Sequence, residues 1–326
     1  MRIPNRWVRR AARELGTLTV YSVGAALLML ASLAISMAEA GQVRVTVSGT
    51  SFSPPNVNVN PGDHVVWVWA GGNHNVLSGN SCTPSAGFTS GTATSAVNTA
   101  FTWRSSGVVS RSYFCEVHCS GFGMVGSVGL SMAAVPVSDF RLTEVRFSDD
   151  HTNDFVEIAN LGAATGNLGR YRLSLTGATV QTLPQTDISV PPGGRVVVFL
   201  NQTGTNTNTS VFFQGVTLPR TGSATLYVAT TNASQTALNR DDMLLDFVQW
   251  GAATQQNEST AANAGFWNIG EFVDAVADGH SLAFCGSATE HGATTWQGIA
   301  TPNPGTADCS TPTRNATWGR LKLRYR

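Results

Sequence analysis

The 326-residue chain predicts an all-β protein built as two sandwiches in succession. Three observations carry that expectation. Apolar residues alternate over short runs punctuated by Gly, Pro, Asn and Asp, and no stretch keeps helical spacing for long. Charged residues make up only 12% of the chain, while Gly, Thr, Ser, Asn and Val are abundant. The length also exceeds what one hydrophobic core ordinarily organises, so two domains are expected.

The first forty residues stand outside that fold. Arg2, Arg6, Arg9, Arg10 and Arg13 precede an apolar run from Val20 to Met37, which leads into Ala38-Glu39-Ala40. This is the pattern of a secretory signal cleaved after Ala40, which makes the mature chain an exported bacterial protein: periplasmic, cell-surface or secreted. A retained membrane anchor is the alternative, although the apolar run barely reaches spanning length. Arg9-Arg10 lacks the usual flanks of a twin-arginine signal. Five of the 20 basic and two of the 20 acidic residues lie in this segment, leaving 15 against 18 and a formal charge of −3. That balance gives no basis for a nucleic-acid partner or a polybasic membrane patch.

Residues 41–133 form the first expected sandwich. Val43-Arg44-Val45-Thr46-Val47 alternates, Ser53-Pro54-Pro55 breaks the pattern, and Asn56-Val57-Asn58-Val59 resumes it. Pro61-Gly62-Asp63 turns into Val65-Val66-Trp67-Val68-Trp69. Later strands are expected at Ala100–Trp103, Ser112–Cys115 and Val125–Leu130. Regular spacing of this kind indicates a sandwich. A linker at 134–139 then leads to the second unit, 140–309, with strands at Phe155–Ile158, Arg195–Leu200, Ala224–Val228 and Leu245–Trp250. The last stretch, 310–326, is a basic tail with Arg314, Arg320, Lys322, Arg324 and Arg326.

The five cysteines are an odd number for an exported protein, so pairing leaves at least one thiol over. A bound metal would occupy it. The run Tyr113-Phe114-Cys115-Glu116-Val117-His118-Cys119-Ser120-Gly121-Phe122-Gly123-Met124 delivers Cys, His and Met from one loop between two strands. Gly72-Asn73-His74-Asn75-Val76, at the end of an earlier strand, supplies a second His. One thiolate, two imidazoles and a thioether form the donor set of a blue-copper site, soft enough for Cu(I) and acceptable to Cu(II). Zinc would take the thiolate and imidazoles but has no use for the thioether.

These residues resemble the cupredoxins, the plastocyanin and azurin superfamily, over 42–131. The Cys-x2-His with a later Met, the upstream His-Asn-Val, and the Pro-Gly-Asp turn before a Trp-bearing strand carry the likeness. It implies a Greek-key sandwich and one type 1 copper, with His74, Cys115 and His118 equatorial and Met124 axial. It also implies that the ring edge of His118 is where electrons leave. His118 and Met124 have five residues between them, one more than the plastocyanin pattern, which leaves the axial bond in question. Phytocyanins likewise carry a Cys directly after the ligand His, and that resemblance implies a Cys82–Cys119 disulfide. Cys285 and Cys309, the remaining pair, are then expected to form a second bridge.

A two-thiolate CuA site would use Cys115-x3-Cys119, but Gly123 stands where CuA needs a His. A metal-free degenerate fold is the other alternative. His64, His151, His280 and His291 are read as structural or solvated. Asp149, Asp150 and Asp154 beside His151 could hold a cation, yet acids in a turn are usually just solvated. Trp67, Trp69 and Trp103 are read as sandwich core, a ring near the metal being able to couple electrons outward. Phe122, between two glycines, is a candidate docking contact or a residue packed over the metal.

The second unit resembles the lamin-tail domain, an immunoglobulin-like sandwich. The likeness rests on Leu142–Val145, Asp154–Asn160, Leu168–Leu173, Pro191-Pro192-Gly193-Gly194, Asp246–Gly251 and Thr301-Pro302-Asn303-Pro304-Gly305. It implies a binding or tethering module without an active site, with a cell-surface or matrix partner. The expected function is therefore that of an electron carrier, not an enzyme, passing single electrons to an unidentified redox partner protein. An extracellular adhesion protein with structural or scavenged copper is the alternative. An oxidase or nitrite-reductase type would require a second copper and further well-placed His.

Overall fold

The computed structural model describes residues 41–105, 110–131, 133, 135–185, 187–307 and 309. The expected signal at 1–40 and the tail at 310–326 lie outside these residues. The described protein is almost entirely β, with two short α-helices, and the all-β expectation holds. No described helix is long and apolar enough to cross a membrane.

Nine strands build the first sandwich. They are β1 (Gln42–Ser48), β2 (Ser51–Ser53), β3 (Asn56–Val59), β4 (His64–Trp69), β5 (Leu77–Asn80), β6 (Thr83–Thr89), β7 (Ala100–Arg104), β8 (Arg111–Phe114) and β9 (Val125–Leu130). One sheet runs β2-β1-β4-β7 and the other β3-β9-β8-β5-β6. The β1–β4 and β3–β9 pairs are parallel, while the other pairs in these sheets are antiparallel. Between the sheets lies an aromatic and valine core of Val45, Val47, Val65, Trp67, Trp69 and Tyr113, with Cys115 and Met124 in the same cluster.

The second sandwich has a six-stranded sheet that includes Phe140–Arg146, Phe155–Asn160 and Arg195–Leu200. It faces a four-stranded sheet that includes Arg172–Leu175, Gly222–Tyr227 and Leu244–Trp250. Its core gathers Phe140, Tyr171, Phe247 and Trp250 among many aliphatic side chains.

The described residues from 41 onward fall in one compact unit, and β4 shows why. A strand with one face in water alternates buried and exposed residues, but all six residues of β4 are buried. Val65, Trp67 and Trp69 point into their own sandwich. Val66 and Val68, with Ala100 of β7, join the core of the second one.

The outer edge of β7 is closed by the second sandwich as well. Thr231 donates its N–H to the Ala100 carbonyl (2.9 Å), and its hydroxyl accepts from the Ala100 N–H (3.1 Å). Two residues on, the Gln235 side chain takes the place of a neighbouring strand at Thr102. Its Nε2 donates to the Thr102 carbonyl (2.6 Å) and its Oε1 accepts from the Thr102 N–H (3.4 Å). The segment read as a linker also packs: Gln42 donates to the Ser138 carbonyl (2.8 Å), and the Ser138 hydroxyl donates to the Gln42 carbonyl (2.8 Å).

Candidate metal centre

Two loops of the first sandwich build the site. The first follows β4, where Gly71 and Gly72 turn the chain before His74. His74 is pinned on both sides by a bridge to Thr94, with N–H to carbonyl distances of 3.0 and 2.9 Å. The Trp69 indole N–H donates to the His74 carbonyl (3.0 Å). Gly72 holds φ +86°, and a Cβ there would fall 2.3 Å from His74 Nε2. Only glycine allows both that backbone and that approach.

The second loop joins β8 to β9, which pair Phe114 with Val125. Cys115 donates its N–H to the Met124 carbonyl (3.1 Å), so the ladder continues one step and then opens. The five residues between His118 and Met124 form helix α1 (Cys119–Phe122), closed by Gly123 in the left-handed conformation. Phe122 N–H reaches the His118 carbonyl (3.1 Å) and Gly123 N–H the Cys119 carbonyl (2.8 Å). The extra residue is thus absorbed in one helical turn. Met124 comes back buried, in the same core cluster as Cys115.

The loops bring His74, Cys115 and His118 together, and theirs is the group among the described residues able to hold a metal. Cys115 Sγ lies 3.7 Å from His74 Nδ1 and 3.6 Å from His118 Nδ1. A first-row ion with metal–nitrogen bonds of about 2.0 Å and a metal–sulfur bond of about 2.3 Å, set about 120° apart, needs sulfur–nitrogen separations of about 3.7 Å. Both thiol–imidazole separations therefore match the spacing of a trigonal first-row ion. His74 and Cys115 are fully buried. Burial, aided by the neighbouring His118 ring, lowers the His74 pKa and keeps the imidazole neutral, the form a metal binds. Cys115 is the unpaired thiol among the described cysteines.

Two further parts brace the loops. Cys82, in the β5–β6 turn, is bridged to Cys119, next to His118, with a Cα–Cα distance of 5.6 Å. The fully buried Asn75 accepts from the Glu116 N–H (2.9 Å) and donates to the Glu116 carboxylate (3.2 Å) and the Gly91 carbonyl (3.3 Å). It ties the segment carrying His74 to the segment carrying Cys115. Asn75 was legible only as a neighbour of His74, because its work is done across the gap between loops. The second bridge, Cys285–Cys309, lies in the second sandwich (Cα–Cα 5.4 Å).

His118 alone of the three donors is only half-buried. Its ring sits 5.7 Å from that of Phe122. Phe122 is 68% exposed, with Val125 (49%) and Val117 (46%) also on the surface. Phe122 thus faces solvent beside the His118 ring.

Most of the other sequence candidates are engaged in hydrogen bonds of their own. Buried Asp154 accepts from the Ser148 N–H (2.7 Å) and hydroxyl (2.8 Å), from the Leu218 N–H (2.9 Å), and contacts His151 Nδ1 (2.9 Å). Asp149 pairs with Arg220 (2.5 Å), and Asp150 caps Thr152. These acids hold a loop together. His291 Nδ1 accepts from Arg141 (2.8 Å) and its ring stacks on Phe266. His64 is fully buried at the seam between the sandwiches, its Nε2 2.6 Å from the Asp242 carbonyl.

No protein family matches the chain, and no curated protein sequence does. Among solved structures, 27% of the chain matches all of a mutant plastocyanin of fern, at 18% identity and a TM-score of 0.24. An oxidized mutant of amicyanin matches over 28% of this chain and 82% of its own, at 20% identity and a TM-score of 0.24. A pseudoazurin from Sinorhizobium matches over 28% of this chain and 76% of its own, at 26% identity and a TM-score of 0.22.

Proposed function

We propose that residues 41–133 are a cupredoxin-type carrier that passes single electrons through one mononuclear type 1 copper. The observation that carries this reading is the placement of one buried thiol 3.7 and 3.6 Å from two imidazole nitrogens. That spacing is the one a trigonal ion requires, built from donors that suit both oxidation states of copper. His74, Cys115 and His118 would hold the ion, with Met124 as the axial fourth donor. Copper bound there supplies a reversible one-electron couple.

The chain's own residues do the rest. The disulfide next to His118, the Asn75 bridge and the Gly72 approach hold the donors in one arrangement, so little has to move when an electron does. Burial of His74 and Cys115 keeps water from the thiolate. His118 reaches the surface beside Phe122, Val117 and Val125, and that apolar rim is the natural contact for a redox partner protein. We read the second sandwich as a lamin-tail-like module that mounts the carrier on a cell surface or matrix. The reading is of an exported carrier rather than an enzyme, since no bond is made or broken.

The test is the visible spectrum and redox titration of the mature protein with Cu(II). Intense thiolate-to-copper colour that bleaches on reduction, returns on oxidation and is missing in Cys115→Ser is the expected result. A colourless or non-cycling complex overturns the reading and leaves the structural or scavenged copper of an adhesion protein.

A further inference from the structure

A cleft of about 690 Å³ opens where the two sandwiches meet, and no residue of the two metal-site loops lines it. One wall is aromatic and belongs to the first sandwich: Phe88, Phe101 and Trp103. Arg104 of β7 also lines it, and the second sandwich contributes Arg240 and Asp242. Arg240 is neutralised by a two-pronged bond to Asp242 (2.7 and 2.5 Å). Arg104 donates Nε to the Gly62 carbonyl (3.1 Å), and its terminal nitrogens meet no acceptor among the described residues. The cleft therefore presents half-exposed Trp103 next to the half-buried Arg104 guanidinium. A flat ring bearing a negative charge satisfies both, by stacking and by a charge-assisted hydrogen bond.

The aromatic wall does not end in the cleft. The Trp103 ring lies 5.0 Å from Phe88, Phe88 lies 5.2 Å from Trp67, and Trp67 lies 5.2 Å from Tyr113. Tyr113 is two residues before Cys115. A continuous file of rings thus runs from the cleft to Tyr113, which shares a core cluster with Cys115. It arrives through the sandwich core, whereas His118 opens to solvent. Tyr113 donates its hydroxyl to the Pro55 carbonyl (2.8 Å), which fixes the last ring of the file.

We infer that the seam cleft is a binding site for a small aromatic anion that acts as a one-electron donor, with Trp103 as a second electron port for the metal centre. This rests on the copper reading above. In the step, a hydroquinone in the cleft loses one electron and one proton and becomes a semiquinone. The proton goes to water at the mouth of the cleft. The electron crosses the rings and reduces the oxidised centre, with no bond formed to the protein.

Hydroquinonesulfonate serves as the probe, on the mature protein in two arms. In the first, calorimetric titration of metal-free protein is expected to show one site, weakened at least tenfold by Arg104→Gln and by Ser234→Trp, which narrows the cleft from the second sandwich. No binding, or binding indifferent to both changes, overturns the site. In the second, stopped-flow bleaching of copper-loaded protein is followed with hydroquinonesulfonate and with hexaammineruthenium(II). Ser234→Trp and Trp103→Leu are expected to slow the organic donor at least tenfold and leave the ruthenium reaction unchanged. Equal slowing of both donors, or of neither, overturns the port. A protein that never develops copper colour fails the carrier reading and the port with it, while the first arm still decides the cleft.

Discussion

Acid should weaken this protein through His64 by an amount the structure sets. The ring is fully buried at the seam, and its Nε2 is 2.6 Å from the Asp242 carbonyl. A carbonyl only accepts, so Nε2 carries the single proton of a neutral imidazole. Burial, with the Arg104 charge nearby, pushes the pKa from 6.5 down to about 4. In the unfolded chain His64 takes a second proton as the pH falls through about 6.5, whereas the folded protein resists until about 4. Stability is complete above about pH 6.5, declines between the two values, and loses nothing more from this group below about 4. The difference amounts to about 3 kcal/mol. Urea unfolding of metal-free protein at pH 7.5 and pH 4 measures it against His64→Gln, whose amide can still donate to the Asp242 carbonyl but does not titrate. The native protein is expected to lose about 3 kcal/mol more than the variant over that interval, other titrating groups cancelling in the comparison. Parallel losses within about 1 kcal/mol would refute a neutral buried His64.

Three further outcomes are expected. Gly72→Ala places a methyl group 2.3 Å from His74 Nε2 at φ +86°, and should cost about 1–3 kcal/mol and weaken Cu(II) binding at least tenfold by competition titration. Replacing Cys82 and Cys119 together by Ser opens a link between residues 37 apart. It should lower unfolding stability by about 4 kcal/mol in denaturant titration. A chain ended after residue 133 uncovers Val66, Val68 and Ala100 and the edge of β7. It should bind a hydrophobic dye and associate in light scattering, where the whole chain stays monodisperse.

What could be seen beforehand follows from how local each signal is. Cys115 and His118 lie three residues apart in one loop, so their convergence could be read from spacing alone. Met124 was in question because one residue more separates it from His118 than in the plastocyanin pattern. The structure coils the extra one into the turn at Cys119–Phe122. His64 looked like an ordinary strand residue because its partner is 178 residues away. The clue was the unbroken run from His64 to Trp69, too apolar for a strand with one wet face. The stretch from Ala133 to Pro136 reads as a separator, since small residues and proline say nothing about what will pack over the neighbouring Ser138 and Gln42. Gln235 gave no sign that its amide would complete a sheet edge, because that depends on a register set by another sandwich.

The closure of β7 also constrains how such a protein can change over generations. Thr231 and Gln235 meet backbone groups of Ala100 and Thr102, and the second core encloses Val66 and Val68. A gene fragment for the first sandwich alone would encode a chain with an open edge and an apolar flank, so neither half can be shuffled into a new setting intact. A substitution at His64 or Ala100 will persist in a lineage only where the 229–243 segment drifts to match it.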